Sequence, residues 1–304
     1  MATAPDTRRP DDDHELLSPE FMTRLDRLEI LSRKIFAGRM KGERRSKRKG
    51  ESVEFADYRN YVPGDDLRFL DWNIYARLDQ LLIKLFMEEE DLNVSILFDV
   101  SKSMDWGKPN KAMYVKRVAA AVAYIGLVNY DRVSLYGYAN TLVHEMRAVR
   151  GRRMVAQVVS FLERIEAGGP SFFSAAARHF ALRHKGKGVC LVLSDFLDKG
   201  GYADGFRYLL GRDLDLYVIQ VLSPEEIDPP LAGDLKLIDV EDEDVAEVTV
   251  SRLLLKKYKA MLTAYCTDLK DYCTRRGMTY LFTNTRVPFD TLVLSYLRQR
   301  GLLR

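Results

Sequence analysis

The sequence predicts an α/β fold, in which a mostly parallel sheet carries helices on both of its faces. From residue 93 onward, short apolar segments alternate with longer amphipathic ones, a pattern typical of parallel strands joined by crossover helices. Two of the apolar segments end in an acidic residue, at Asp99 and Asp195. The composition, 47% hydrophobic and 30% charged over 304 residues, is typical of a globular protein with a large core.

Six strands and six helices account for the chain after residue 92. We expect strands at residues 93–100, 132–140, 142–149, 188–195, 214–222 and 278–284. Helices are expected at residues 109–128, 151–166, 172–184, 201–211, 252–276 and 289–302. The second and third strands are joined too tightly for a crossover, so one of them should be an antiparallel edge strand. Residues 234–251 predict an inserted hairpin with an acidic tip.

The first 90 residues form an N-terminal extension. Residues 1–15 are polar and rich in Asp, which predicts a disordered tail. Residues 16–90 should contain a helix opened by Ser18-Pro19, a basic loop and a small subdomain, followed by the α/β domain at 91–304. Seven of the eleven residues at 39–49 are Lys or Arg. This basic loop contains no aromatic residue, so we favour a solvated or partner-docking loop over a nucleic-acid site.

The turn in "YVPGDDLRFLDW" contains four charged side chains, Asp65, Asp66, Arg68 and Asp71. We interpret them as turn and ion-pair residues rather than a binding site. Trp72 is expected in the core and Trp106 at the rim of a site.

The composition favours a cytoplasmic protein. The three cysteines, Cys190, Cys266 and Cys273, form no C-x-x-C pair, as is usual in a reducing compartment. No apolar run has the length of a membrane span, and the first 15 residues lack the apolar stretch of a signal peptide. The net charge of +3 is small and by itself favours neither nucleic acid nor membrane as a partner.

Oxygen-bearing side chains collect at the carboxyl ends of two expected strands. The segment "ILFDVSKSM" brings Asp99, Ser101 and Ser103 to one strand end, and "VCLVLSDFLD" brings Asp195 to another. Ligands of open parallel sheets bind beyond these ends. Oxygen ligands without His or Cys favour Mg²⁺ or another hard cation such as Mn²⁺ or Ca²⁺. In the alternative interpretation, the two serines only cap a helix.

A third segment adds a hydroxyl to this set. In "EAGGPSFFSAA", Gly168 and Gly169 predict a turn, after which Ser171 is expected to cap the next helix. Its hydroxyl could complete a site of two carboxylates and three hydroxyls. Ser174 is the alternative donor from this segment.

These motifs, in this order, resemble the von Willebrand factor A-like fold and its metal-ion-dependent adhesion site. Upstream, the elements G-x-x-x-E-F, R-x-Y-x-P-G-D-D, D-W and A-R stand at Gly50–Phe55, Arg59–Asp66, Asp71-Trp72 and Ala76-Arg77. They look like the signature of the bacterial domain of unknown function 58 family, and the resemblance covers roughly residues 38–300.

By position, the resemblance assigns the metal ligands Asp99, Ser101, Ser103, Ser171 and Asp195. The third loop of such sites usually has Thr followed by Asp, whereas here Ser171 is followed by Phe172. This departure implies weaker metal binding than in other members.

The resemblance implies a non-enzymatic, metal-dependent protein-binding module. Its implied partner is a MoxR-type AAA+ ATPase, for which the chain would act as an adaptor or co-chaperone, together with client proteins. The alternatives are a basic-loop nucleic-acid binder and a Mg²⁺-dependent phosphoryl-transfer enzyme that uses Asp99. Against the enzyme, Ser101 stands where such enzymes carry a second acid. The chain also has no P-loop, G-x-S-x-G or H-E-x-x-H motif.

Overall fold

The computed structural model describes residues 15–32, 54–87, 92–231, 233–239, 241 and 245–304. Its contacts divide the chain into two units, residues 1–41 together with 92–304, and residues 42–91. The basic loop at 39–49 and nearly all of the expected tail at 1–15 lie outside the described residues.

The helices and strands alternate along the chain as the sequence predicts. The helices are α1 (Pro19–Leu25), α2 (Trp72–Leu78), α3 (Lys111–Val128), α4 (Val155–Glu163), α5 (Phe173–Arg183), α6 (Ala203–Leu210), α7 (Pro224–Ile227), α8 (Arg252–Arg275), α9 (Phe289–Thr291) and α10 (Leu297–Gln299). The strands are β1 (Glu54–Asn60), β2 (Leu82–Met87), β3 (Asn93–Asp99), β4 (Arg132–Tyr138), β5 (Leu142–Val149), β6 (Gly188–Ser194), β7 (Leu214–Leu222), β8 (Gly233–Ile238), β9 (Val245–Val250) and β10 (Thr279–Asn284).

The larger unit is built on a six-stranded sheet with the order β10-β7-β6-β3-β4-β5. Neighbouring strands run parallel throughout, except that β5 is antiparallel to β4 at one edge. The predicted fold class is therefore confirmed, including the antiparallel edge strand. The predicted hairpin is formed by β8 and β9. The helix expected at 289–302 is instead split by a π-helical turn, Leu292–Tyr296, between α9 and α10.

Side chains of β3 alternate between two hydrophobic clusters, one on each face of the sheet. Ile96 and Phe98 pack in the cluster that includes α1, α3 and α4. Leu97 packs in the other, which includes α5 and α6. The helix after β3 and the helix after β6 thus lie on opposite faces, although the two strands are neighbours. Such a switch point opens a crevice at the carboxyl ends of the strands.

The N-terminal helix α1 packs on the α/β unit. Phe21 and Leu25 are buried in the same cluster as α3, and Tyr124 donates a 2.6 Å hydrogen bond to Asp26. The sequence places this helix in an extension of residues 16–90, whereas its apolar face is covered by the larger unit.

The smaller unit contains an antiparallel pair, β1 and β2, and α2. Arg59 forms a two-pronged ion pair with Asp65, with both N–O distances 2.7 Å. Asp71 caps α2 and accepts a hydrogen bond from Tyr58. These contacts confirm the turn interpretation. The prediction that Trp72 lies in the core is wrong, because the residue is 59% exposed. Its ring contacts the ring of Tyr75 edge-on.

None of the helices in the described ranges combines the length and the apolar character that a membrane crossing requires.

Gly188 tests the pairing of β3 with β6. A Cβ there would lie 2.1 Å from the carbonyl oxygen of Asn93, so Gly188→Ala must push the two strands apart. We expect the free energy of unfolding to fall by about 1–3 kcal/mol in urea denaturation. Gly168→Ala is the matched control, because a Cβ at Gly168 meets nothing within 4 Å. Equal stability of the two variants would contradict this account.

Candidate functional site

Asp99 ends β3 in the crevice and is the centre of the site. The residue is 1% exposed. Its Oδ1 accepts a hydrogen bond of 2.9 Å from the backbone N–H of Ser101. Its Oδ2 accepts from the hydroxyls of Ser194 at 2.8 Å and Ser171 at 3.2 Å. The buried carboxylate is thus satisfied entirely by neutral donors.

Ser101 and Ser103 lie at the turn that follows β3. Ser101 is fully buried, and its Oγ lies 3.0 Å from the Oγ of Ser103, which is half-buried. Neither serine caps α3, since Asn110 performs that role, and Ser101 makes no side-chain cap bond to the short turn after it. The helix-cap alternative is therefore not realised. Trp106, in the same loop, is 53% exposed.

The loop between α4 and α5 brings Ser171, rather than Ser174, to Asp99. Backbone bonds from Gly168 to Val100 and from Phe172 to Ala139 hold this loop against the strand ends. The expectation that Ser171 caps α5 is wrong. The hydroxyl is directed to Asp99, and the first N–H of α5, at Phe173, donates to Asp198 instead.

Asp195 follows β6 and is held by a buried lysine. Its Oδ2 accepts a 2.7 Å hydrogen bond from the ammonium of Lys111, whose side chain is fully buried. Lys111 also donates to Glu226 Oε1 at 2.5 Å. Glu226 Oε2 in turn accepts from the backbone N–H of Ser223, which opens α7. The second predicted carboxylate thus has an ammonium partner within the chain.

Burial governs the charges of the site. It raises the pKa of Asp99 to about 6, with a smaller contribution from the nearby charge of Asp195, against the opposing effect of its hydrogen bonds. Burial lowers the pKa of Lys111, but the charges of Asp195 and Glu226 outweigh it, and the net shift is upward. Lys111 therefore carries a full positive charge at neutral pH.

Several groups around Asp99, among them Ser194 and Lys111, are not among the site residues that the sequence predicts. Ser194 could have been found, since it ends the same apolar run as Asp195, but no sequence signal marks Lys111. Another is Glu241, in the connection between β8 and β9, whose carboxylate accepts a 3.1 Å hydrogen bond from the backbone N–H of Ser171. The Tyr138 hydroxyl is also buried, and within the described part of the chain it makes no hydrogen bond, although Ser194 lies beside it.

The oxygens around Asp99 fit a hard cation. Asp99 accepts hydrogen bonds from the backbone of Ser101 and the hydroxyl of Ser171, and the hydroxyls of Ser101 and Ser103 are 3.0 Å apart in the same loop. Among the described residues, the buried Tyr138 hydroxyl near Asp99 has no hydrogen-bond partner, with Ser194 beside it. Across the described ranges, no three His, Cys, Asp or Glu side chains form a metal-binding cluster. A cation here would therefore depend on serine hydroxyls more than on charged ligands.

The raised pKa of Asp99 predicts how stability changes with pH. Without metal, the folded protein holds a proton on Asp99 that the unfolded chain releases near pH 4. The contribution of Asp99 to stability should therefore be fully present below about pH 4 and be lost as pH rises through about 6. Asp99→Asn should remove this decrease, so that at pH 8 the variant is more stable by about 1–3 kcal/mol. The measurement is urea unfolding of both proteins in the presence of EDTA between pH 4 and 8. If the difference between their free energies of unfolding did not vary with pH, this prediction would be contradicted.

The chain is similar to several known proteins. It is 23% identical over 256 residues to "Uncharacterized protein Rv1480" of Mycobacterium tuberculosis and to "Uncharacterized protein Mb1516" of Mycobacterium bovis, covering 83% of this chain and 80% of each relative. One similar solved structure is that of the conserved hypothetical protein BatB from Bacteroides thetaiotaomicron. Its sequence identity is 13% and its TM-score is 0.42, and the match covers 69% of this chain and 98% of that one. A von Willebrand factor type A protein from Catenulispora acidiphila has 13% identity, a TM-score of 0.39, and coverage of 72% and 43%.

The chain also matches a protein family over most of its length. Residues 57–266 match the family described as "Protein of unknown function DUF58". This stretch covers most of the chain and includes β3, β6, Asp99, Ser171 and Asp195. The chain therefore belongs to the DUF58 family.

Proposed function

We propose that this chain is a non-enzymatic protein-binding module whose Asp99 site takes up Mg²⁺ or another hard divalent cation. Asp99, Ser101, Ser103 and Ser171 would hold the ion, with Asp195 close by. When bound, the cation supplies a positive centre with coordination positions left for an acidic side chain of a partner. Surface contacts around the site would then select the partner.

The observation that carries the proposal is the set of hydroxyls around one buried carboxylate. Ser171 donates directly to Asp99, and Ser101 and Ser103 are within 3.0 Å of each other. Hydroxyls are neutral ligands, so a cation held in this way keeps most of its charge. Such a charge in a partly desolvated crevice attracts a carboxylate more strongly than it would in bulk water.

The local charge supports the same proposal. Among the described residues, the hydrogen bonds around Asp99 and around Lys111 include four acidic side chains, those of Asp99, Asp195, Glu226 and Glu241, and one ammonium, that of Lys111. This excess of negative charge favours uptake of a divalent cation. Glu241 also illustrates that a carboxylate can reach the edge of the site, since it lies 3.1 Å from the backbone nitrogen of Ser171.

For the partner, we propose a MoxR-type AAA+ ATPase, with its client proteins as further partners. This follows from the family resemblance, and the match to DUF58 supports it. We further propose a cytoplasmic location, where the three free cysteines, Cys190, Cys266 and Cys273, would remain reduced.

A phosphoryl-transfer enzyme is the second candidate. Its nucleophile would be Asp99, beside the proposed cation. Asp99 is almost completely buried, with both oxygens engaged, and Ser101 cannot act as a general acid near neutral pH. These features favour the binding module. Phosphoester turnover that is lost in Asp99→Asn would favour the enzyme.

Metal binding is tested by titrating the purified chain with Mn²⁺ and Mg²⁺ in a calorimeter. We expect the wild type to bind and Asp99→Ala to release no binding heat, because the substitution removes the one carboxylate within the hydroxyl set. Ser171→Ala should weaken binding about tenfold, whereas Ser174→Ala, on the same loop-helix segment, should leave it unchanged. Equal heats from the wild type and Asp99→Ala would contradict the metal site, and a larger effect at Ser174 would reassign the third loop.

Partner binding is tested by pull-down of a purified MoxR-type AAA+ ATPase from the same organism. EDTA should abolish capture, and Mg²⁺ should restore it, because the cation bridges the two proteins. Asp99→Ala should not capture the ATPase even with Mg²⁺, while its circular dichroism remains that of the wild type. Gly168→Ala provides a folded control. Capture that withstands both EDTA and Asp99→Ala would show that binding uses another surface.

A further inference from the structure

Lys111 is the least expected group in the crevice. Its side chain is completely buried at the start of α3, and its ammonium contacts Asp195 at 2.7 Å and Glu226 at 2.5 Å. Burying an ammonium is costly unless it is paired and hydrogen-bonded. Two carboxylates from two different elements, the end of β6 and α7, meet that requirement.

The ion pair between Lys111 and Asp195 determines whether Asp195 can act as a metal ligand. One of its oxygens accepts from Lys111 and the other from the backbone N–H of Leu197 at 3.1 Å. Its neighbour along the chain, Ser194, donates to Asp99. Asp195 therefore lies next to the candidate metal ligands while both of its oxygens are engaged elsewhere. Asp99 accepts hydrogen bonds from neutral N–H and O–H groups, whereas Asp195 is paired with the positive charge of Lys111, which repels a cation from this carboxylate.

We propose that Lys111 is a positioning residue that keeps Asp195 in an ion pair and out of direct contact with the bound cation. The inference rests on the proposed function and deepens it. With Asp195 held back, the cation is neutralised by one carboxylate, Asp99, instead of two. It then keeps net charge for the acidic residue of the partner, at the expense of intrinsic metal affinity.

Replacement of the ammonium by an apolar chain of similar length tests this. In Lys111→Met, Asp195 is released and can ligate the cation directly. Because affinity for hard cations increases with the number of charged ligands, we expect the dissociation constant for Mn²⁺ to fall at least tenfold. The number of water molecules on bound Mn²⁺, measured by ¹⁷O relaxation, should decrease by one. A merely structural ion pair would not change the water number.

Two controls separate the ion pair from general effects of charge. Lys116→Met removes a positive charge from the same helix, where Lys116 donates to the carbonyl oxygen of Ile165. Glu226→Gln removes the second carboxylate but leaves the contact between Lys111 and Asp195. Lys116→Met should bind Mn²⁺ with an affinity and a water number close to those of the wild type. Glu226→Gln, which removes one negative charge near the site, should keep the wild-type water number and should not bind Mn²⁺ more tightly than the wild type.

Loss of Lys111 leaves the buried carboxylate of Asp195 and the half-buried carboxylate of Glu226 without their partner, so Lys111→Met could fail to fold. The double variant Lys111→Met/Glu226→Gln leaves only Asp195 uncompensated and repeats the same measurements. If either variant folds only with Mn²⁺ present, the cation has replaced the ammonium as the partner of Asp195, which supports the proposal. Failure of both to fold with or without Mn²⁺ would overturn it, because Lys111 would then be purely structural.

The outcomes distinguish this inference from the proposed function. If Mn²⁺ binds to the wild type and not to Asp99→Ala, but a folded Lys111→Met variant keeps the wild-type affinity and water number, or binds more weakly, only the role of Lys111 is overturned. If the wild type binds no Mn²⁺, or binds it as well as Asp99→Ala does, the metal-dependent function fails, and the role of Lys111 fails with it.

Discussion

Two carboxylates at the ends of neighbouring buried strands repel each other, and the rest of the site is arranged around this constraint. Asp99 and Asp195 are 1% and 3% exposed, so water cannot screen them well. The chain compensates them differently. Asp99 receives hydroxyl and amide donors, whereas Asp195 receives a full positive charge from Lys111. The two acids consequently have different chemistry, although both lie at the carboxyl ends of neighbouring strands.

The sheet topology creates this situation. Parallel pairing of β3 with β6 aligns their carboxyl ends, and their following helices go to opposite faces, which leaves a crevice above both. The close approach at Gly188 belongs to the same pairing. Backbone bonds then bring a third loop, with Ser171, over the strand ends. Core packing and site geometry thus depend on one set of strand contacts.

Much of the fold, and part of the site, could be predicted from the sequence. The apolar runs are uninterrupted and end in acids, so strand type, strand ends and the position of Asp99 could be inferred locally. Ser171 could be predicted as an oxygen donor of the site, but its cap role could not be judged, because the carboxylate that accepts from the first N–H of α5, that of Asp198, lies outside the segment. Trp72 was misassigned, since the sequence does not show which side of a short helix is covered.

Lys111 could not be predicted for a different reason. At the first position of a helix, a lysine is ordinarily solvated, and nothing within its own segment indicates burial. Its partners lie 84 and 115 residues away along the chain and are brought to it only by the completed sheet and α7. Ion pairs of this kind arise from tertiary structure alone, so sequence patterns cannot reveal them.

The use of serines rather than further acids around Asp99 has a physical consequence for recognition. Each additional carboxylate would strengthen cation binding but would also cancel the charge that an acidic partner needs to find. Hydroxyls satisfy the cation's need for oxygen without this cancellation. In the same way, the ammonium of Lys111 neutralises part of the negative charge of Asp195 and Glu226, which would otherwise cancel part of the positive charge of a bound cation. In the proposed function both devices would act in one direction, because each would leave a bound cation with more charge for an incoming carboxylate than the number of acids in the sequence would indicate.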